Sequence, residues 1–556
     1  MDKKSFKGLR KLTVLARTVR GRKMAQDKLV GLNRRNLLSL IGMTAGSMTM
    51  YHAMTTLGLA GESRYNGPIK LEGAPKDTSV LILGAGLAGM TAALELRQAG
   101  YNVKILEYNN RVGGRNWTIR GGDSVKELGG EIRNCEFDEG LYINPGPWRI
   151  PYHHHGLLAY CKRLGVVLEP FQQLNHNAFL HSTRGGGGKP QRVRYVMTDI
   201  RGHISELLCK VTRKGALEGS VTKEDQEMLL EALRSWGALD ENYAYQNSTH
   251  VREFRGSVEA YRAGRNSVVP TSGKPLSLSE ILGSGLWSDL AAFARYEFQT
   301  TMFQPRGGID LIGKAFSKEV DDLVTYNAKV TKIEQDEKRV TAYYEDSENP
   351  GTIQRASGDW CVCTIPLTIL SQIDINVSAE MLAAIKAVPY ASSVKVGLQF
   401  KRRFWEEDDL IFGGVSYTNL PIRQISYPSS DFNTKGKGVL LGCYTWNGPN
   451  SYEFTSMAPE ERVKRVVEYG ARIHPQYKEE FENGVSWAWH RSPFTLGCAG
   501  DWTEDTRREH FNNLCKIDGR VVIAGEHASQ VPAWMEGAIL SSLDAITRLH
   551  KRIMAG

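Results

Sequence analysis

The most constraining stretch of the chain is Gly84-Ala85-Gly86-Leu87-Ala88-Gly89. It follows the apolar run Ser79-Val-Leu-Ile-Leu83 directly, and that run reads as a buried parallel strand. Met90 to Gln98 then reads as a helix, and Val103-Lys104-Ile105-Leu106-Glu107 as a second strand ending in an acid. Each glycine has a physical task in such a unit. Gly84 makes the tight turn, Gly86 lets the backbone approach a pyrophosphate at the helix N-terminus, and Gly89 lets the helix pack on the sheet. Glu107 is placed to accept hydrogen bonds from ribose hydroxyls. The expectation is an α/β fold with a Rossmann-like dinucleotide-binding sheet.

The rest of a 556-residue chain leaves room for roughly one to three domains. Its net charge of +9 suggests an anionic partner until it is located. Residues 1–35 hold twelve Lys and Arg against Asp2 and Asp27, a net of +10. The remaining 521 residues therefore carry −1, which excludes a broadly basic, nucleic-acid-binding body. Asn33-Arg34-Arg35-Asn36-Leu37-Leu38 and the weakly apolar run to Ala60 resemble a twin-arginine export signal. Gly, Ser, Thr and His interrupt that run, so a stable membrane span is not expected. The expectation is a periplasmic or secreted protein, or else a cytoplasmic one that retains an N-terminal helical segment. The eight Cys show no metal-ligand spacing and read as buried free thiols. His153-His154-His155 points in three directions on a helix start, so it reads as a channel or surface element, and no metal site is expected.

Three further segments carry a resemblance. Arg111-Val112-Gly113-Gly114-Arg115 follows Glu107 closely. Arg520 to His527 is a strand ending in Gly525-Glu526, and Trp534-Met535-Glu536-Gly537-Ala538 opens a final helix. In this order the motifs resemble the flavin-containing amine oxidase family, over about residues 76–556. The resemblance implies FAD. It places Arg115 near the pyrophosphate, Glu526 on the ribityl chain, Met535 at the flavin pyrimidine and Val330 beside the adenine. It also implies a discontinuous FAD-binding domain (76–145, 305–372 and 515–556) and a mixed-sheet α+β substrate-binding domain (146–185 and 373–514). A helical domain (186–304) would shape the substrate entrance, with helices over Glu224 to Trp236 and Ser279 to Met302. Residues 1–60 stand apart as the basic segment.

Within that family, Gly140 to Pro151 (Gly146-Pro147-Trp148-Arg149-Ile150-Pro151) is similar to the L-amino acid oxidases. The resemblance gives Arg149 a substrate carboxylate, a group its planar fork fits well; Arg133 is a weaker rival. It puts Gly146, Pro147 and Trp148 at the cofactor and Tyr444 as second carboxylate ligand, in an alignment needing a one-residue insertion. Trp446 and Trp534 become pocket walls, and the Ala533 carbonyl meets the amine. Lys395, alone in an apolar strand, becomes the lysine near the flavin that assists reaction with O2. The implied activity is oxidative deamination of L-amino acids, large apolar or aromatic ones in particular, to 2-oxo acid, ammonia and hydrogen peroxide. Alternatives are an amine or polyamine oxidase, an amino acid 2-monooxygenase, or a non-catalytic FAD-binding partner protein. A homodimer is a family expectation.

Overall fold

A computed structural model describes residues 63–556 except 64, 218, 220, 258–270, 291–294 and 299–300. The twin-arginine segment and the rest of residues 1–60 lie outside the described residues.

The glycine-rich unit folds as its residues dictate. Strand β1 (Ser79–Leu83) runs into helix α1 (Leu87–Gln98) and returns as β2 (Asn102–Leu106), parallel to β1. On the other side β1 pairs in parallel with β3 (Trp360–Cys363), and β3 with β4 (Val521–Ile523). Val324–Thr325 and Ile517–Asp518 close the two edges of this six-stranded sheet. Its apolar strands are covered on both faces, as a parallel sheet requires. α1, Ile312, Phe316 and the last helix α2 (Met535–Met554) pack on one side. Ile333, Ala342 and Ile385 are in the core on the other. The structure is thus α/β with mixed sheets, as the sequence led us to expect.

A second, seven-stranded sheet builds the other half of the site. It runs Phe481–Ala488, Ser393–Phe400, Gly438–Trp446, Gln424–Ser426, Val415–Thr418, Phe179–His181 and Gln191–Arg192. The Ser393–Phe400 strand is buried along its whole length, Lys395 included. Opposite it the Gly438–Trp446 strand bulges, because Val396 pairs with Cys443 while Gly397 pairs with Leu441. Gly442 is the extra residue of that bulge. A Cβ there would stand 2.7 Å from Leu398, so the bulge needs glycine.

Between residues 193 and 290 the regular elements among the described residues are helices. The helix Lys223–Trp236 covers the span read from its periodicity. The stretch from Ser279 onward departs from the expectation of one helix. It breaks into Leu278–Ser284 and Leu286–Leu290 at Gly285, whose φ of +74° is a left-handed cap, and Thr301–Pro305 is a strand. No helix among the described residues is long and apolar enough to cross a membrane.

Candidate functional site

A long cavity of about 1140 Å³, its open mouth included, runs along the carboxyl ends of the parallel strands and on to the second sheet. This is where open α/β sheets bind ligands. At one end it is backbone and glycine. Gly84 has φ +104°, a conformation L side chains avoid. Gly86 caps α1 in extended backbone with open space where a Cβ would be, leaving room for an anion at the helix N-terminus. Gly89 lies off the cavity, buried in α1, where a Cβ would stand 1.9 Å from the Gly84 carbonyl. The Ala85 N–H donates to Glu107 Oε2 (2.7 Å), and the Asn109 N–H and side-chain amide donate to Oε1 (2.8 and 2.6 Å). The acid is thus fixed before any ribose arrives. Tyr108 stacks on Phe494 with centroids 4.5 Å apart, and both line this end.

The middle is held by one buried ion pair. Arg115 Nη1 donates to Glu526 Oε1 at 2.7 Å and to the Cys498 carbonyl at 2.8 Å. Glu526 also accepts from the Gly500 N–H (3.1 Å) and the Ala533 N–H (2.9 Å). Burial alone would raise the Glu526 carboxyl, but Arg115, His527 and the Ala533 N–H outweigh it and hold it below its ordinary value. Next to it, burial pushes the His527 imidazole down to about 4. Gly146 is pressed on Arg115, where a Cβ would stand 1.9 Å from that carbonyl. Met535 lines the cavity as the first residue of α2, its sulfur accepting from the Asn116 amide at 3.3 Å.

The far end is aromatic, and two cations, Lys395 and Arg149, lie against its lining residues Tyr444 and Trp534 without lining it themselves. Tyr444, Trp446, Trp489, Cys498, Ala533 and Trp534 line it. Tyr444 and Lys395 are direct cross-strand partners. Lys395 Nζ lies 4.2 Å from the Trp148 ring centroid and 4.7 Å from that of Tyr444. It donates to the carbonyls of Asn144 (3.2 Å) and Gly146. Burial pushes the Lys395 ammonium well below its ordinary value, and nearby Arg149 adds to the push. Arg149 is buried too, its guanidinium 4.3 Å from the Phe298 centroid, 4.5 Å from Trp148 and 6.0 Å from Trp534. No carboxylate among the described residues pairs with it. Arg133, by contrast, forms its ion pair with Glu460, away from the cavity.

Three residues assigned to the cofactor do not line this cavity. Gly89 serves helix packing instead. Trp148 is wedged between Lys395, Tyr444 and Arg149. Val330 sits in the core with Leu83 and Leu106, because its strand lies behind the parallel sheet. Thr364, in a segment that resembles the family's strand returning under the cofactor, lines the cavity, as do Trp489 and Cys498, which sequence reasoning did not place in the site. Trp489 Nε1 donates to the Pro145 carbonyl (2.8 Å), fixing the loop that carries Gly146 to Arg149. His153 and His154 are buried, so the surface alternative is corrected. His154 meets Trp534 edge-on at 5.0 Å and His153 lies 4.5 Å from Tyr296. No cluster of metal-ligating side chains occurs among the described residues.

The comparisons with known proteins agree with this geometry. The model of the flavin containing amine oxidoreductases matches residues 87–549. An L-amino-acid oxidase of Siganus canaliculatus is 30% identical over 482 residues, covering 85% of this chain and 86% of that protein. One of Bungarus fasciatus is 26% identical over 487 residues, covering 85% and 86%. Among solved structures, cyclohexylamine oxidase from Brevibacterium oxydans superposes with a TM-score of 0.56 at 15% identity, over 86% of this chain and 100% of that one. The chain belongs to the flavin-containing amine oxidoreductase family, and its cofactor is FAD. The glycine cradle at Gly86, the fixed Glu107 and a cavity lined from Gly84 to Met535 fit that dinucleotide.

Proposed function

We propose that the protein oxidises L-amino acids, releasing the 2-oxo acid, ammonia and hydrogen peroxide. The observation that carries this reading is Arg149: a buried guanidinium, unpaired by any carboxylate among the described residues and held among aromatic rings. Burying a cation without an anion is costly, so a site built this way is poised for an anionic ligand. A substrate carboxylate supplies that anion in bidentate form. The curated relatives named above, L-amino-acid oxidases, support the same substrate class.

In this reading Gly84, Gly86, Glu107, Arg115, Gly146, Pro147, Glu526 and Met535 hold FAD. When bound, FAD accepts the two electrons and the hydrogen leaving the substrate Cα. Arg149 and the Tyr444 hydroxyl anchor the carboxylate, and the Ala533 carbonyl orients the neutral amine. Trp446 and Trp534 wall a pocket suited to large apolar or aromatic side chains, with Trp148 packed against Tyr444 beside it. Lys395, whose ammonium burial pushes well below its ordinary value, gives up a proton more readily than an exposed lysine and serves the step with O2. The imino acid hydrolyses in water. The protein needs no nucleophile, since positioning does its share of the work.

The test is anaerobic mixing of the yellow holoenzyme with L-amino acids and with simple amines, following flavin bleaching. Arg149→Ala should keep its FAD spectrum and lose about 100- to 1000-fold in kcat/KM for amino acids, the cost of removing one partner of a buried charge pair. An unchanged KM for amino acids sinks the reading. Bleaching by amines alone makes the protein an amine oxidase, and an amide product makes it a monooxygenase.

A further inference from the structure

The proposed chemistry gives the run His153-His154-His155 no task. His153 and His154 line a second cavity of about 2700 Å³, its open mouth included. Ser63, Tyr65, Glu297 and Leu540 form other parts of its wall. Among the described residues only Trp534 borders both this chamber and the flavin cavity, so its indole is the partition between them.

Arg149 is on neither wall. Its guanidinium lies behind Phe298, Trp148 and Trp534, at 4.3, 4.5 and 6.0 Å from their centroids. A carboxylate therefore meets Arg149 only after one of these rings moves. Phe298 and Trp148 are buried. Trp534 has open space on two sides, and it caps α2 in extended backbone, so no helical turn grips its side chain.

His154 is what holds Trp534 in place. The two rings meet edge-on, 5.0 Å apart with planes at 82°. Burial keeps the His154 imidazole well below its ordinary value, so the neutral ring packs as an aromatic edge. Its Nδ1 is buried with no hydrogen-bond partner among the described residues. The backbones behind the two rings are pinned to each other. The Gly156 and Leu157 N–H groups donate to the Glu536 carboxylate at 2.9 and 2.6 Å, and the Ser63 hydroxyl donates to it as well. Gly156 lies two residues beyond His154 and Glu536 two beyond Trp534. With the frame fixed, the side chains are the parts left to move.

We propose that the amino acid reaches Arg149 from this chamber, past a Trp534 that turns aside, and that His154 is the positioning residue holding that indole across the way. The inference rests on the reading of Arg149 as the carboxylate ligand. It adds a door whose stiffness discriminates by size, since a larger side chain needs the indole turned further.

Anaerobic stopped-flow reduction of the holoenzyme tests this, using the largest and the smallest L-amino acids that bleach the wild type. His154→Ala should raise the second-order rate constant for the large substrate about 10-fold relative to the small one, the scale of one edge-on aromatic contact. The limiting reduction rate should stay close to wild type, and His154→Phe, which keeps an aromatic edge, should restore the original ratio. Leu540→Trp, which narrows the chamber away from the flavin, should lower the second-order constant about 10-fold for both substrates and leave the reaction of reduced enzyme with O2 unchanged. Flavin absorbance shows that each variant is folded. Amino acid reduction undisturbed by Leu540→Trp and His154→Ala overturns this inference alone. So does a His154→Ala variant whose limiting rate falls equally for every substrate. A wild type bleached only by amines overturns the reading of Arg149, and this inference with it.

Discussion

The two ends of the flavin cavity are built on opposite principles. At the dinucleotide end every charged group already has its partner: Glu107 is held by Ala85 and Asn109, Arg115 by Glu526. At the substrate end the two cations have none of opposite sign among the described residues. Arg149 lies against rings, and Lys395 donates only to carbonyls. The first end is complete in the protein alone and needs only a ligand that fits. The second is left electrostatically open, and the ligand completes it. Affinity for a permanent cofactor and turnover of a passing substrate ask for this division.

The comparison can be broken at either end. The largest effect is expected from Gly89→Ala. The new methyl has 1.9 Å to the Gly84 carbonyl, so the helix must leave the strand. The purified variant should be colourless, with flavin content near zero by absorbance. A yellow variant would show that the turn yields more than its contacts allow. Next, Lys395→Met should slow the reaction of reduced enzyme with O2 by about 100-fold, the scale of losing one preorganised electrostatic group, while anaerobic reduction by substrate stays close to wild type. Equal losses in both half-reactions would make Lys395 a packing residue.

The third effect is on stability, at the satisfied end. An unfolded His titrates near 6.5, whereas buried His527 titrates at about 4. Its folded pKa is depressed, so the stabilisation is present above pH 6.5 and is lost as pH falls toward 4, on the order of 3 kcal/mol in all. Urea unfolding at pH 7 and 4.5 should show a loss that is smaller in His527→Gln. Parallel losses would assign the acid sensitivity to other groups. The smallest effect belongs to Ala533, which has φ +66° beside the pocket. Ala533→Gly should relieve about 1 kcal/mol of strain, part of it offset by the freer unfolded chain, and should admit bulkier substrates. A lower melting temperature with unchanged specificity would refute this.

The same division governs what the sequence made legible. Gly84, Gly86 and Glu107 belong to one short strand-helix-strand unit, and backbone geometry demands those residue types at that spacing. Gly525-Glu526 and Met535 are local in the same way. The substrate end is assembled by packing between distant segments. Lys395 meets Tyr444 only because a bulge at Gly442 sets their register, and nothing near either residue announces it. Phe298 reaches Arg149, and Trp489 reaches Pro145, across long separations with no periodic signal. Val330 shows the converse limit. Its strand matched by residue order, but the layer it occupies is a tertiary fact.

Gly86 and Met535 border one cavity although hundreds of codons separate them. While a ribosome is still translating the middle of the message, the nascent chain displays half a cradle, and dissolved flavin has nothing to close around. A product cut short before α2 lacks the Met535 side of that cradle and is expected to stay colourless, so yellow colour reports that the final helix is present.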